Sequence, residues 1–379
     1  MEFSVFKNDF FKKSGKPFNY AIAIPACNEE TYIERCLKAC SFSMNSFNMQ
    51  GAITVLINNS HDNTLNLARD WANSCEIPVL IVDVKFPPAL SHAGKARQTA
   101  LGIASKCVSR QGYLLTTDAD SHPYPDWVEN SISPMEAGKA DMVCGQIFLD
   151  PEAADRLPDL ILKRGDIEEE YRTISREINH LINPDPINSW PFHGQTSGAS
   201  IAVTVRAYRE VGGLPAVPVG EDRALAKAFE TNDLAILYAD DVKVWTSSRL
   251  GGRAKGGMAD TIAARVAGRK HICDESVELA EAVLSRALWR AKFRLAYATS
   301  QNLTTLYAEA GINAPADFPD FKTFGALWSY VEKSSPLLAR RRLSWEEMYL
   351  ELPKLKQVRE DVRAMVRPRL KRMQMSRAQ

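Results

Sequence analysis

Apolar and polar positions alternate in blocks along the first two thirds of the chain. Tyr20-Ala21-Ile22-Ala23-Ile24-Pro25 is a short apolar run stopped by proline, and Thr31 to Ala39 reads as a helix with acids in its first turn. Gly51 to Ile57 is a second apolar run. It ends in the polar turn Asn58-Asn59-Ser60-His61-Asp62-Asn63-Thr64, which leads into a helix from Leu65 to Trp71. Ile77 to Val84 predicts a third strand, Gly94 to Ala104 a third helix and Tyr113 to Thr117 a fourth strand; Trp127 to Gly138 and Asp141 to Leu149 add a helix and a strand. This alternation predicts an α/β fold with a doubly wound, mostly parallel sheet and flanking helices. Ligands of such sheets sit outside the carboxyl ends of the strands. The Pro25–Glu30 loop, the Asn58–Thr64 turn and the Asp118–Asp120 pair occupy such ends, so a shared crevice is expected.

Beyond Leu149 the alternation loosens. Pro151 to Asn183 is charged and helical, and Asn183 to Gln195, rich in Pro and Asn, reads as a loop. Thr196 to Val205, a helix from Glu221 through Phe229 and a strand from Leu234 to Trp245 complete the α/β pattern. A basic, glycine-rich stretch from Arg249 to Gly257 then gives way to helical sequence. The expected organisation is an N-terminal arm over 1–18, an α/β domain over 19–250 and a helical extension over 251–379. With 379 residues, 45% hydrophobic and 25% charged, the chain is an ordinary globular protein, and its net charge of +1 offers no argument for nucleic acid binding. Seven cysteines without zinc-like spacing predict reduced thiols.

Candidate chemistry gathers at Leu114-Leu115-Thr116-Thr117-Asp118-Ala119-Asp120. Two carboxylates at i, i+2 where a strand ends can meet one hard divalent cation, Mn²⁺ or Mg²⁺, that keeps positions open for phosphate oxygens. The alternative is a polar turn capping the next helix. Gly220-Glu221-Asp222 is a second acidic centre, which equally suits the N-terminus of the helix it opens. Gly94-Lys95-Ala96-Arg97 starts a helix whose free N–H groups attract anions, so Lys95 or Arg97 could approach a diphosphate. Arg249, Arg253 and Lys255 on a bendable backbone are further phosphate candidates. His122 lies close enough to the Asp pair to add a metal ligand, and Trp190 and His193 stand in the Pro-rich loop, where a ring could stack on a sugar or pack a core.

Taken in order and spacing, Ile24-Pro25-Ala26-Cys27-Asn28-Glu29-Glu30, Asn58 to Thr64, His92 to Ala100 and Asp118-Ala119-Asp120 resemble the family 2 glycosyltransferases of the GT-A fold. Gly198 to Val203, Gly212-Gly213-Leu214 and Gly220-Glu221-Asp222 continue the resemblance, which covers about residues 19 to 250. It implies metal-dependent transfer of a sugar from a nucleotide-diphosphate sugar to an acceptor hydroxyl. Asp118 would meet the donor ribose and Asp120 the metal with Asp118 assisting. Pro25, Asn28, Glu29 and Asn58 would hold the nucleoside and Lys95 the diphosphate; Arg249 and Arg253, phosphate candidates by their own chemistry, equally suit a flexible link to the helical tail. In the inverting members an acid deprotonates the acceptor, which assigns Asp222 as base with Glu221 as the alternative; Trp190 and His193 fall where acceptors bind. The turn after the second strand departs from the pattern, with Ile57 and Asn58 where many members carry two acids, which leaves the nucleobase open between uridine and guanosine. A retaining transferase, a nucleotidyltransferase and a catalytically silent nucleotide-sugar-binding relative are the competing readings.

The Gln-x-x-Arg-Trp element of processive members is not found, so processive polymer synthesis is not expected. No run approaches the about 20 apolar residues of a membrane span, and no signal peptide is evident, which predicts a cytoplasmic protein. The basic segment from Leu355 to Arg377, with Val358, Val362, Met365, Val366 and Leu370, could rest on an anionic membrane surface or pack on a neighbouring helix. A small-molecule or lipid-linked acceptor fits either case.

Overall fold

The computed structural model describes residues 4–12, 15–151, 158–247, 272–313 and 320–377. They divide into two compact units. The first comprises residues 1–156, 192–230 and 234–263, and the second residues 157–191, 231–233 and 264–379.

The first unit is built on a nine-stranded sheet: β1 (Ser4–Phe11), β2 (Phe18–Ala26), β3 (Gly51–Asn58), β4 (Val79–Lys85), β5 (Val108–Thr116), β6 (Ser121–Pro123), β7 (Met142–Leu149), β8 (Ile201–Thr204) and β9 (Ile236–Thr246). Its order is β1-β4-β3-β2-β5-β8-β7-β9-β6. The run β4-β3-β2-β5 is parallel throughout, as the βα alternation predicted. Beyond it β8 runs antiparallel to both β5 and β7, while β9 returns parallel to β7. The sheet is therefore mixed on either side of that parallel run. The arm expected over 1–18 is not separate from it, because β1 adds an edge strand antiparallel to β4.

Helices α1 (Ile33–Asn45), α2 (Thr64–Ser74), α3 (Ala93–Cys107) and α4 (Trp127–Glu136) follow β2, β3, β4 and β6. Alternation within the strands sorts their side chains between the two faces. Ile22, Ile24, Ile53, Val55 and Ile57 bury one face with Leu37, Ala68 and Trp127. Ala21, Ala23, Leu56 and Leu114 bury the other with Ala96, Ala100 and Leu101 of α3. Chain order runs outward from β2 to β3 and β4, then returns through α3 to β5 on the other side of β2. That reversal opens a crevice between the carboxyl ends of β2 and β5.

The second unit is helical: α5 (Asp159–Ile182) from its first segment, with α6 (Val205–Glu210) and α7 (Glu221–Thr231) intervening in sequence, then α8 (Ala280–Ala298), α9 (Thr304–Glu309), α10 (Phe324–Ser334) and α11 (Trp345–Arg377). Residues 157–191 join it because Tyr171, Ile174 and Ile178 of α5 share a core with Cys273, Val277, Met348 and Leu355. A second core forms around Phe293, Tyr307, Leu327 and Trp328. Val358 and Val362 of α11 pack into the first of these cores and Arg363 pairs with Glu177, whereas Met365 is exposed. Two of the five apolar residues considered for a membrane face thus lie against α5. Helix α11 runs on through Pro368 to Arg377. Among the described residues no helix is long and apolar enough to cross a membrane.

Candidate active site

The loops after β2 and β3 are clasped to each other by polar groups. Asn28 takes a left-handed backbone, φ 54°, which Asn tolerates better than branched residues do. Its N–H donates to Ser60 Oγ at 2.9 Å, and its Oδ1 accepts from the His61 N–H at 2.7 Å. The buried Glu29 N–H donates to Thr64 Oγ1 at 2.7 Å, and the Thr64 hydroxyl donates to Asp62 Oδ1 at 2.6 Å. Asp62 Oδ2 accepts from the Glu30 N–H, and Glu30 Oε2 accepts from the Asn63 N–H. Asn59, also left-handed at φ 51°, uses its amide to pair both backbone groups of Phe86. Pro25 lies within β2 opposite Leu56, and Asn58 ends β3 buried. The nucleoside candidates thus line one hydrogen-bonded rim, in which the Asn28 side chain braces the turn.

Asp118 and Asp120 follow β5 at the other lip of the crevice, and both are half-buried. Beneath them Cys36 Sγ donates to the Asp118 carbonyl at 3.4 Å. A hydrogen bond with Cys40, then burial, push the Cys36 thiol well above its ordinary value. Ser247 Oγ donates to Asp120 Oδ2 at 2.6 Å. His122 is held by Arg35, whose Nη2 lies 2.7 Å from its Nε2 and also pairs with Asp150. Burial and, after it, Arg35 push that imidazole below its usual range. The Nε2 atom therefore faces a guanidinium.

Arg97 of α3 is the centre of the arrangement, and the expectation that it could approach a diphosphate does not hold. Only 4% exposed, its guanidinium is bonded to protein: Nε to Glu221 Oε1 at 3.0 Å, Nη1 to Thr116 Oγ1 at 2.9 Å and to the Gly198 carbonyl at 2.8 Å, and Nη2 to Asp118 Oδ1. Burial works against its charge, but the two carboxylates more than offset this and push it above the ordinary arginine value. Gly198 is required there, since a Cβ would lie 2.4 Å from Arg97 Cζ.

Glu221 and Asp222 open α7 and diverge at once. Glu221 is buried against Arg97. Asp222 is half-buried; its Oδ2 accepts from the Gly198 N–H at 3.1 Å and its Oδ1 from the Arg223 N–H at 2.7 Å. The amino end of α3 presses on the segment before them, because a Cβ on Gly94 would meet the Val217 carbonyl oxygen at 2.0 Å. Lys95, next in α3, is half-buried, and its Nζ donates to Gln98 at 3.0 Å.

The remaining candidates are dispersed. His193 is buried in the first unit, its Nδ1 accepting from the Gln195 N–H at 3.0 Å and its ring edge-on to Tyr238. Trp190 belongs to the second unit and packs beside His180. Arg249 and Arg253 lie outside the described residues. No group of three or more His, Cys, Asp or Glu side chains is gathered as a metal cluster among the described residues. Asp118 and Asp120 are nevertheless an all-oxygen pair with one charge offset by Arg97. That donor set suits a hard divalent cation which takes its other ligands from a diphosphate and water. Sequence reading missed the Gly198 and Ser247 contacts, although Gly198 lies in a segment it had singled out.

Residues 21–191 match the family described as Glycosyl transferase family 2. The chain is 25% identical over 247 residues to glycosyltransferase AglE of Haloferax volcanii, covering 61% of this chain and 75% of that one. Among solved structures it is similar to the mannosyltransferase PcManGT from Pyrobaculum calidifontis in complex with GDP-Man and Mn²⁺, at 14% identity and a TM-score of 0.45, covering 86% and 88% of the two chains. TarS 1–349 from S. aureus in complex with UDP-GlcNAc is similar at 14% identity and a TM-score of 0.44, covering 77% and 75%.

Proposed function

We propose, from the match of residues 21–191 to the family 2 glycosyltransferases, that the protein moves a sugar from a nucleoside-diphosphate sugar to an acceptor hydroxyl with inversion. The observation that carries this reading is that one guanidinium, Arg97, binds both Asp118 at the end of β5 and Glu221, the neighbour of Asp222. A carboxylate pair for the leaving diphosphate and a separate carboxylate for the acceptor therefore share one scaffold. Asp222 is the general base: it is accessible, and an ionised carboxylate within hydrogen-bond reach can take the hydroxyl proton as the oxygen attacks the anomeric carbon. Glu221 is buried on Arg97 and supports the site from below.

Asp120, with Asp118, is the pair to hold Mn²⁺ or Mg²⁺, which would offset the charge growing on the leaving diphosphate. Asp118 meets the donor ribose, the rim of Pro25, Asn28, Glu29 and Asn58 receives the nucleoside, and Lys95 meets the diphosphate. Arg249 and Arg253 are further diphosphate ligands. His193 contributes to the acceptor side by fixing the loop after Phe192. The acceptor is a small or lipid-linked hydroxyl compound.

A thermal-shift panel of UDP, GDP, dTDP and CDP with and without Mn²⁺, on wild type and Asp120→Ala, tests the donor half, because a ligand of the native state raises the melting temperature by mass action. One diphosphate is expected to stabilise wild type only with metal, and Asp120→Ala to lose the gain. Asp222→Asn tests the acceptor half: sugar transfer should fall about 10²- to 10⁴-fold while diphosphate binding persists. A panel without any shift, or an Asp222→Asn enzyme of wild-type rate, would overturn the proposal. Retention of configuration in the product, read by NMR, would favour the retaining mechanism instead.

A further inference from the structure

We propose that Arg97 is a positioning residue that aligns both halves of the site at once, setting Asp222 through the Gly198 peptide and Asp118 through its own Nη2. The inference rests on the functional reading above and assigns a task to a side chain that touches neither substrate. Residue 198 carries the first link. Its carbonyl accepts from Arg97 Nη1 at 2.8 Å, and its N–H donates to Asp222 Oδ2 at 3.1 Å. The peptides on either side of its Cα are thus fixed by the guanidinium and by the base. The close approach of Gly198 to Arg97 leaves the Cα no lateral room, since an added Cβ would come within 2.6 Å of three guanidinium atoms. The second link is the ion pair to Asp118.

Anchoring makes the guanidinium a reference point. Thr116 Oγ1 accepts from Arg97 Nη1 at 2.9 Å and itself donates to the Ala23 carbonyl at 2.9 Å, which ties the guanidinium to the backbone of β2. Glu221 supplies the fourth contact and much of the charge balance, with side-chain exposures of 5% for Arg97 and 9% for Glu221. Four acceptors in three directions require the planar fork of five N–H donors; a lysine ammonium has three donors about one point and cannot span them. A buried arginine serving stability alone would need Glu221 as its partner. The bonds to Asp118 and Gly198 are the ones that lead to the proposed reacting groups.

Three variants test this: Gly198→Ala, which keeps every charge but forces the guanidinium to shift, Arg97→Lys, and Arg97→Ala with and without added guanidinium ion. Each is assayed well below its own melting temperature. Diphosphate affinity is measured by calorimetry with Mn²⁺, and kcat and KM by release of diphosphate from the sugar donor. Misplacement on the scale of 1 Å can cost about 10²-fold in rate, so Gly198→Ala and Arg97→Lys should each lose at least about tenfold in kcat. Diphosphate affinity should weaken in Arg97→Lys, and guanidinium ion should restore kcat in Arg97→Ala saturably. If the folded Gly198→Ala and Arg97→Lys proteins keep kcat and affinity within about twofold of wild type, Arg97 is only a buried ion-pair partner. Should Arg97→Ala fail to fold, Gly198→Ala decides. A wild type that neither binds a diphosphate nor releases one from any donor brings down the functional reading, and this inference with it. A competent wild type with indifferent variants brings down the inference alone.

Discussion

Replacing Thr64 by Val and by Ser separates the polar clasp from simple packing. Thr64 is fully buried, and its hydroxyl is shared: it accepts from the Glu29 N–H at 2.7 Å and donates to Asp62 Oδ1 at 2.6 Å. Valine keeps the shape and removes both bonds. The Glu29 N–H belongs to a residue only 5% exposed, so loss of its Thr64 acceptor costs about 1–3 kcal/mol, and loss of the bond to the Asp62 carboxylate adds about 1 kcal/mol. Serine keeps the hydroxyl and removes one buried methyl, which costs about 0.8 kcal/mol. Thr64→Val should therefore be destabilised by about 3 kcal/mol and Thr64→Ser by about 1 kcal/mol. Hydrogen exchange at the Glu29 amide reads the difference locally. About 3 kcal/mol accelerates exchange roughly 10²-fold if the loop opens to exchange, whereas the serine variant should stay within about tenfold of wild type. If valine protects that amide as well as threonine does, or better than serine, the clasp is held by packing and the hydrogen-bond argument is wrong.

Other consequences are simpler to check. Gly94→Ala places a methyl 2.0 Å from the Val217 carbonyl oxygen, a backbone atom with little freedom to yield. It should lower the melting temperature and reduce kcat by moving the segment that leads into Glu221 and Asp222. Thiol labelling of the native protein should modify Cys27, Cys75 and Cys107, which are half-buried, and spare Cys36, Cys40, Cys144 and Cys273 until the chain unfolds. Burial pushes the Cys144 thiol up to about 12 and raises Cys107 as well, so labelling of Cys107 should be slow near neutral pH and quicken as pH rises toward its thiol range. Removing divalent metal with a chelator should abolish transfer, and Mn²⁺ or Mg²⁺ should restore it; full activity in chelator would refute the assignment of Asp118 and Asp120.

Much of this molecule is readable in its sequence because local patterns and local elements coincide. The apolar runs ending at Pro25, Asn58 and Asp118 become β2, β3 and β5, adjacent and parallel, and their polar ends meet at one crevice. Strand direction was less accessible. Ile201–Thr204 and Met142–Leu149 are short apolar runs, and such a run reports burial without saying which way its neighbour points. The N-terminal arm concealed β1 for a related reason: an edge strand tolerates polar residues such as Lys7 and Asp9 that would mark a central one as a loop. Helix α5 lies inside the α/β stretch of sequence, while its apolar face packs on residues roughly a hundred or more positions later.

The site divides along the same line. In the sequence Lys95 and Arg97 form one basic helix start, yet a two-residue offset at 100° per residue sets them about 200° apart around α3, on opposite sides. Once the helix buries one face on the sheet, only one of the two can be solvent-facing, and that much was available from spacing. The identity of the buried partner was not. The groups that accept from Arg97 stand 19, 21, 101 and 124 positions away, and long-range acceptors of this kind leave no local trace. The same geometry resolves Glu221 and Asp222, whose adjacent side chains leave α7 about 100° apart. A buried guanidinium can claim one and leave its neighbour at the crevice. Two adjacent acids in a sequence thus become a buried strut and a half-buried carboxylate, the proposed base, through a single cation contributed from another helix.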